Sequence, residues 1–65
     1  MKINLTKEVY SIKSLARAIS NYKDFAVISV LETVDYWILD FSDCKYDPAL
    51  TVKEFENHLI EIENV

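Results

Sequence analysis

The chain has one cysteine, Cys44, and one histidine, His58, the two side chains best suited to nucleophilic catalysis near neutral pH. Such a pair works only when thiol and imidazole lie within hydrogen-bond distance and a third residue orients the imidazole. Cys44 falls in a polar segment, His58 falls in a helical pattern, and no third residue is identifiable. We therefore interpret Cys44 as an ordinary loop thiol and His58 as a solvated helix side chain.

Carboxylates are the other candidates for chemistry. Asp40, Asp43 and Asp47 follow one another near a predicted strand end, where they could bind a cation, but their spacing is not that of a calcium loop and no glycine permits its tight turn. The glutamates of the last segment have the intervals of a charged helix face: Glu54, Glu56, Glu61 and Glu63. We expect no catalytic residue, no metal and no cofactor.

Composition excludes further classes of site. Glycine is absent, so the chain has no glycine-rich phosphate loop. The formal net charge is −4, with five basic residues against Glu8 in residues 1–23 and two basic against ten acidic residues in 24–65. General nucleic-acid binding needs a basic stripe on the surface, so we expect this chain not to bind nucleic acid. This uneven distribution of charge is typical of a domain with two solvated faces. The alternative is that it steers a partner to the surface electrostatically.

Length predicts one domain, residues 1–65. A domain this small buries only about 60% of its unfolded surface, and one cysteine allows no intrachain disulfide, so self-association is the available reinforcement. The lone thiol favours a reducing, cytoplasmic location. The longest apolar stretch, residues 25–31, is far below the roughly 20 residues that span a bilayer, so we expect no membrane segment.

The first half predicts a strand and a helix. Ile3 and Leu5 alternate with polar residues, as in a half-buried strand. Ser11 has the type and position of a helix N-cap. An apolar stripe follows at spacings of three and four: Ile12, Leu15, Ala16, Ile19 and Tyr22.

The second half predicts a hairpin and a helix. Residues 25–33 and 36–41 are rich in β-branched and aromatic residues, so a turn must lie within residues 32–35. Residues 42–50 indicate a polar loop. Thr51 and Glu54 match a capping box that would begin the last helix. The stripe of that helix is Val52, Phe55, Leu59 and Ile62.

These elements predict an α+β domain in two layers, ordered β-α-β-β-α. A crossover between the first two strands, with the third inserted centrally, gives a mainly antiparallel three-stranded sheet of order 1-3-2 with both helices on one face. Trp37, Leu39 and Phe41 should face the helices. The other face is unusually apolar for a sheet in water. Our candidate interface residues are Tyr36, Ile38, Val27, Leu31 and Ile60.

Two segments resemble a known family. Residues 8–12 (EVYSI), with Ala16 and Ala18 downstream, are similar to the opening of the D component of His-Xaa-Ser peptide systems, the HxsD-like family. Phe55, Asn57, Leu59 and Ile60 resemble that family's closing helix. The family accompanies radical S-adenosylmethionine maturases that modify a repeat-bearing peptide. The resemblance implies an accessory role in peptide modification and no chemistry in this chain.

The leading hypothesis is therefore a non-catalytic binding or adaptor module whose partner is a maturase or its peptide. A peptide can add as a strand to an exposed sheet edge, where backbone hydrogen bonds provide affinity. The alternative is a purely structural homodimer that covers the apolar outer face of the sheet. We do not expect an enzyme.

Overall fold

The computed structural model describes residues 1–64 and confirms the predicted order of elements. Three strands and two helices follow one another along the chain: β1 (Lys2–Thr6), α1 (Ile12–Asn21), β2 (Val27–Glu32), β3 (Tyr36–Ser42) and α2 (Pro48–Glu63). The strands form one sheet of order β1-β3-β2, as predicted. The chain is an α+β domain.

The sheet is antiparallel throughout and β3 is its centre. Leu5 of β1 and Glu32 of β2 both pair with Trp37. Trp37, Leu39 and Phe41 alternate with more exposed residues along β3 and belong to the core together with buried residues of both helices. The prediction of this inner face is confirmed, because period-two alternation assigns alternate side chains to opposite faces.

The hairpin turn explains how a chain without glycine connects β2 to β3. Thr33 N donates to Tyr36 O at 2.9 Å, and Tyr36 N donates to Thr33 Oγ1 at 3.0 Å. Asp43 is the one residue among 1–64 with a positive φ, 49°. Val34 and Asp35 therefore do not form the mirror-image turns that favour glycine, and the Thr33 hydroxyl supplies an acceptor instead.

Strand β2 begins later than predicted. Residues 25–33 were expected to be extended, but Phe25 N and Ala26 N donate to Tyr22 O, at 2.9 and 3.2 Å. These two residues thus close the turn after α1, and the strand starts at Val27. Ala26 is buried, so this apolar residue contributes to the core although it lies in a turn and not in a strand.

Helix α1 confirms its predicted cap and corrects its predicted stripe. Ser11 Oγ accepts from Ser14 N at 3.2 Å, as an N-cap should. Ile12 and Ala16, however, are exposed. Leu15 and Ala18 are buried, and Ile19 and Tyr22 are partly buried against the core, so the prediction is confirmed for Leu15, Ile19 and Tyr22, and Ala18 takes the place expected for Ala16.

Helix α2 begins one turn earlier than predicted. Pro48 occupies its first turn and Asp47 its N-cap position, without a side-chain capping bond. Proline suits this place because its missing N–H would have no intrahelical partner. Thr51 is buried inside the helix, where its hydroxyl donates to Asp47 O at 3.0 Å. The predicted capping box of Thr51 and Glu54 is therefore wrong, and the polar loop ends before Pro48.

The end of α2 is tied to the start of α1. A carboxylate oxygen of Glu63 accepts from Ser11 N at 2.8 Å and lies 3.1 Å from Ser11 Oγ. Backbone N–H groups at a helix start lack intrahelical partners, and a negative charge there is stabilised by the helix dipole. The Ser11 backbone N–H, followed by the Ser14 and Ser11 hydroxyls, lowers the pKa of Glu63 below its ordinary value of 4.5.

We expect Glu63→Gln to lower the free energy of unfolding near neutral pH. A carboxyl whose pKa is lowered by folding contributes stability above its unfolded pKa and loses it as the pH falls through the folded value. The difference between wild type and variant should therefore shrink once the pH drops below 4.5. Urea unfolding followed by circular dichroism, near neutral pH and below pH 4.5, measures this difference in the free energy of unfolding. The control is Glu61→Gln on the same helix, and a Glu63→Gln deficit that persists in acid would contradict the charge-based explanation.

Candidate functional site

Cys44 and His58 occupy separate settings. Cys44 is half-buried and packs against the core from the segment after β3. The Nε2 atom of His58, on α2, lies 3.0 Å from Asn21 Nδ2, and its ring centroid lies 5.6 Å from that of Tyr22. No hydrogen bond joins the thiol to the imidazole within the described part of the chain.

The three aspartates near the end of β3 do not converge either. Asp40 faces the N-terminal ammonium group of Met1, with 3.5 Å between the nitrogen and Oδ1. Across residues 1–64, no three His, Cys, Asp or Glu side chains gather in an arrangement that could hold a metal ion. The cation-binding interpretation of Asp40, Asp43 and Asp47 therefore has no geometric support.

Four of the five candidate interface residues share the outer face of the sheet, the face away from the helices. Val27 and Leu31 of β2 are 53% and 64% exposed, and Tyr36 of β3 is exposed as well. Leu31 is directly opposite Ile38 in the β2–β3 register, so these two side chains form one apolar pair. We call Val27, Leu31, Tyr36 and Ile38 the outer patch.

The outer patch is smaller than the sequence suggested. Ser29 and Asp40 are opposite each other between the Val27 and Leu31 rungs, and Asn4 is opposite Ile38 on the β1 side. The outer face is thus a mixed surface with an apolar pair at its centre. Such a surface can remain in water more readily than an unbroken apolar face.

Ile60 does not belong to this surface. It lies on α2, whose buried residues pack on the inner side of the sheet. The side chain is 45% exposed. A single flat interface would therefore not include both Ile60 and the outer patch, and the prediction for Ile60 concerns a different surface of the domain.

The backbone of β2 offers free hydrogen-bonding groups along one edge. β2 pairs only with β3 among the described strands. Thr33 N bonds to Tyr36 O, and in an antiparallel ladder the residues that exchange hydrogen bonds alternate with residues whose N–H and C=O point away. Counting back from Thr33, the backbone groups of Ile28, Val30 and Glu32 point outward from the sheet.

Strand β2 is also exposed on both of its faces. Val27 and Leu31 are exposed on the outer face, and Val30, on the inner face, is 42% exposed because the helices do not fully cover this side of the sheet. Only Glu32 is charged, and it pairs with Lys7 at 2.6 Å between Oε2 and Nζ. The strand therefore lacks most of the features by which natural edge strands avoid further pairing.

The opposite edge of the sheet, formed by β1, carries polar side chains. Phe41 N donates to Met1 O at 2.7 Å, so the alternation places the outward backbone groups of β1 at Lys2, Asn4 and Thr6. These three side chains are polar, and Lys2 adds a charge. Lysine on an edge strand is a known protection against pairing. Of the two edges, that of β2 is the less protected against pairing with a further strand.

A second feature is a cleft of about 360 Å³ between the end of α1, the segment before β2, the segment after β3 and α2. Its lining is predominantly aromatic: Tyr22, Phe25, Tyr46, Thr51, Glu54 and His58. We call it the aromatic cleft. The sequence did not reveal it, because its aromatic residues fall at the ends of different elements and follow no common period.

The rings of the aromatic cleft continue outward from the core. Phe55, fully buried, contacts Tyr22 edge to face at a centroid distance of 5.4 Å. Tyr22 contacts Phe25 at 5.7 Å, and Phe25 lies 6.3 Å from Tyr46 at the rim. Burial, followed by the charges of Glu54 and Glu61, raises the pKa of Tyr22 above its ordinary value of 10.0.

No family model, no curated protein and no solved structure matches this chain. Within residues 1–64, neither helix is long and apolar enough to cross a bilayer.

Proposed function

We propose that this chain is a non-catalytic binding module that takes up a polypeptide segment as an additional strand along the free edge of β2. The observation that carries this proposal is the exposure of apolar side chains on both faces of that edge, Val30 on one face and Leu31 on the other. An added strand would cover both side chains at once. Among the elements of residues 1–64, none other than β2 combines outward backbone groups with apolar exposure in this way.

Strand addition fits this edge energetically. The outward N–H and C=O groups of Ile28, Val30 and Glu32 would exchange water for a partner backbone, a modest gain for each hydrogen bond. Covering Val30 and Leu31 adds an apolar term of roughly 25 cal/mol for each Å² removed from water. The backbone bonds favour binding with little demand on sequence.

The resemblance of residues 8–12 and 55–60 to the D component of His-Xaa-Ser systems supports a specific setting. In that setting the module is an accessory subunit of a radical S-adenosylmethionine peptide-maturation system. Its ligand is the repeat-bearing peptide or an extended segment of the maturase. The chain supplies position and proximity, while the partner enzyme supplies the chemistry.

Co-purification from the native host tests the proposal with two matched proline variants. Val30→Pro removes an outward N–H from β2 without removing a bond to β3, and Asn4→Pro does the same on the β1 edge. We expect wild type and Asn4→Pro to recover the maturase or its peptide, identified by mass spectrometry. Val30→Pro should lose most of that recovery while circular dichroism shows it folded. Equal recovery by both variants would contradict binding along β2.

The second candidate function is a structural homodimer, and the outer patch favours it. Leu31 and Ile38 form an apolar pair at the centre of the sheet face that points away from the helices, with Tyr36 beside them. Tyrosine and central apolar residues are enriched in interfaces. Packing two such faces would also reinforce the small core. Recovery of the chain's own copies alone in the co-purification favours this candidate.

A further inference from the structure

We infer that the aromatic cleft receives a basic side chain, an arginine or lysine, of the polypeptide that binds along β2. This inference rests on the proposed function and adds a determinant of sequence to it. Strand addition selects partners weakly, since the backbone groups are common to all sequences. A pocket for one side chain at the end of the strand is a usual source of the missing selectivity.

The cleft lies next to the beginning of β2 along the chain. Phe25 is two residues before Val27, the first residue of β2, and lines the cleft. Phe25 O accepts from Lys45 N at 2.7 Å, which joins the cleft wall to the segment after β3. Under this inference, one end of a segment that runs along Ile28 to Glu32 lies beside the cleft, because Phe25 is three residues before Ile28.

The lining suits a cation. Tyr22, Phe25 and Tyr46 present aromatic rings, whose faces attract an ammonium or guanidinium group within about 6 Å of the centroid. The chain already shows this attraction at the rim, where Lys45 Nζ lies 5.8 Å from the Tyr46 centroid. Arginine is also able to stack its planar group on such a ring.

The charges around the cleft have the complementary sign. Glu54 lines it, and the negative charges of Glu54 and Glu61 both act on the Tyr22 hydroxyl. Within residues 1–64 neither carboxylate forms an ion pair. Arg17 borders Glu61 and His58 in an adjoining cleft, so Glu54 is the carboxylate left for a ligand inside the aromatic cleft.

Short capped peptides test the cleft without the β2 edge. The probe is acetyl-Ala-Arg-Ala-amide, and the control replaces arginine with citrulline, which has nearly the same shape and no charge. Titrations followed by ¹H–¹³C NMR of the aromatic rings should show saturable shifts at Tyr22, Phe25 and Tyr46 with the arginine peptide. The citrulline peptide should bind about two- to fivefold more weakly, the factor expected for an exposed cation–π contact.

Two variants, Glu54→Gln and Lys45→Met, report the sign of the ligand's charge, and a third, Tyr46→Leu, reports the aromatic contact. Glu54→Gln and Tyr46→Leu should each weaken binding of the arginine peptide by up to about fivefold, through loss of a carboxylate and of an aromatic face. Lys45→Met should strengthen it, because the resident cation no longer competes. A negatively charged ligand would instead bind more tightly to Glu54→Gln and more weakly to Lys45→Met. Equal binding of the two peptides, or weaker binding by Lys45→Met, would overturn the inference.

Failure of this inference and failure of the proposed function are distinguishable. The tripeptides do not need the β2 edge, so Val30→Pro should bind them like the wild type. If the cleft fails and Val30→Pro still loses the maturation partner, strand addition stands without a basic determinant. If Val30→Pro keeps the partner while the arginine peptide binds, the cleft acts alone and its link to β2 is wrong.

Discussion

Replacing Phe55 with alanine is expected to unfold the domain. Phe55 is fully buried and contacts Phe41 and Tyr22 edge to face at 5.2 and 5.4 Å. Removing a buried phenylalanine costs about 3–5 kcal/mol, because the lost apolar transfer energy is joined by the cavity that remains. A scaffold of this size has a total stability of about 3–5 kcal/mol, so the substitution removes nearly all of that stability.

Urea unfolding followed by circular dichroism measures this effect, together with two further truncations. Leu15 and Leu39 are fully buried on α1 and β3, and replacing either with alanine should cost about 2–5 kcal/mol. Val34→Ala is the control, since Val34 is 90% exposed at the hairpin tip. Near-wild-type unfolding of all three core variants would mean that the core does not join the helices to β3.

Ile38→Lys is expected to dissociate the dimer that the second candidate function requires. Ile38 is central to the outer patch, opposite both Leu31 and Asn4 in the sheet. In a face-to-face dimer its side chain would lie near the two-fold axis, where two lysines would oppose each other without water. Central hot-spot residues contribute about 2 kcal/mol or more, so the dimer should weaken by roughly thirtyfold or more.

Sedimentation equilibrium at micromolar concentration decides this prediction. If the outer patch is a homodimer interface, wild type should sediment as a dimer and Ile38→Lys as a folded monomer. Val34→Lys adds the same charge at the exposed hairpin tip and should leave the dimer intact. A wild type that is monomeric under these conditions would exclude the outer patch as a homodimer interface and leave strand addition to β2 as the remaining proposal.

The sequence determined the parts of this protein that depend on local pattern. Alternation along residues 36–41 placed Trp37, Leu39 and Phe41 on the inner face, since successive side chains of a strand point to opposite faces. Ser11 identified the start of α1 because its hydroxyl caps a backbone N–H only three residues away. The order 1-3-2 followed from the usual rules for connections between strands.

The tertiary structure decided what depends on contacts between elements. Thr51 resembled a helix cap in sequence, yet its side chain is buried within α2 because that helix packs on the core. The bond between Glu63 and Ser11 and the convergence of Tyr22, Phe25 and Tyr46 join residues from different elements, for which no periodic signal exists. The exposure of Val30 depends on how far two short helices extend across three strands, a quantity set by packing and not by the pattern of any single segment.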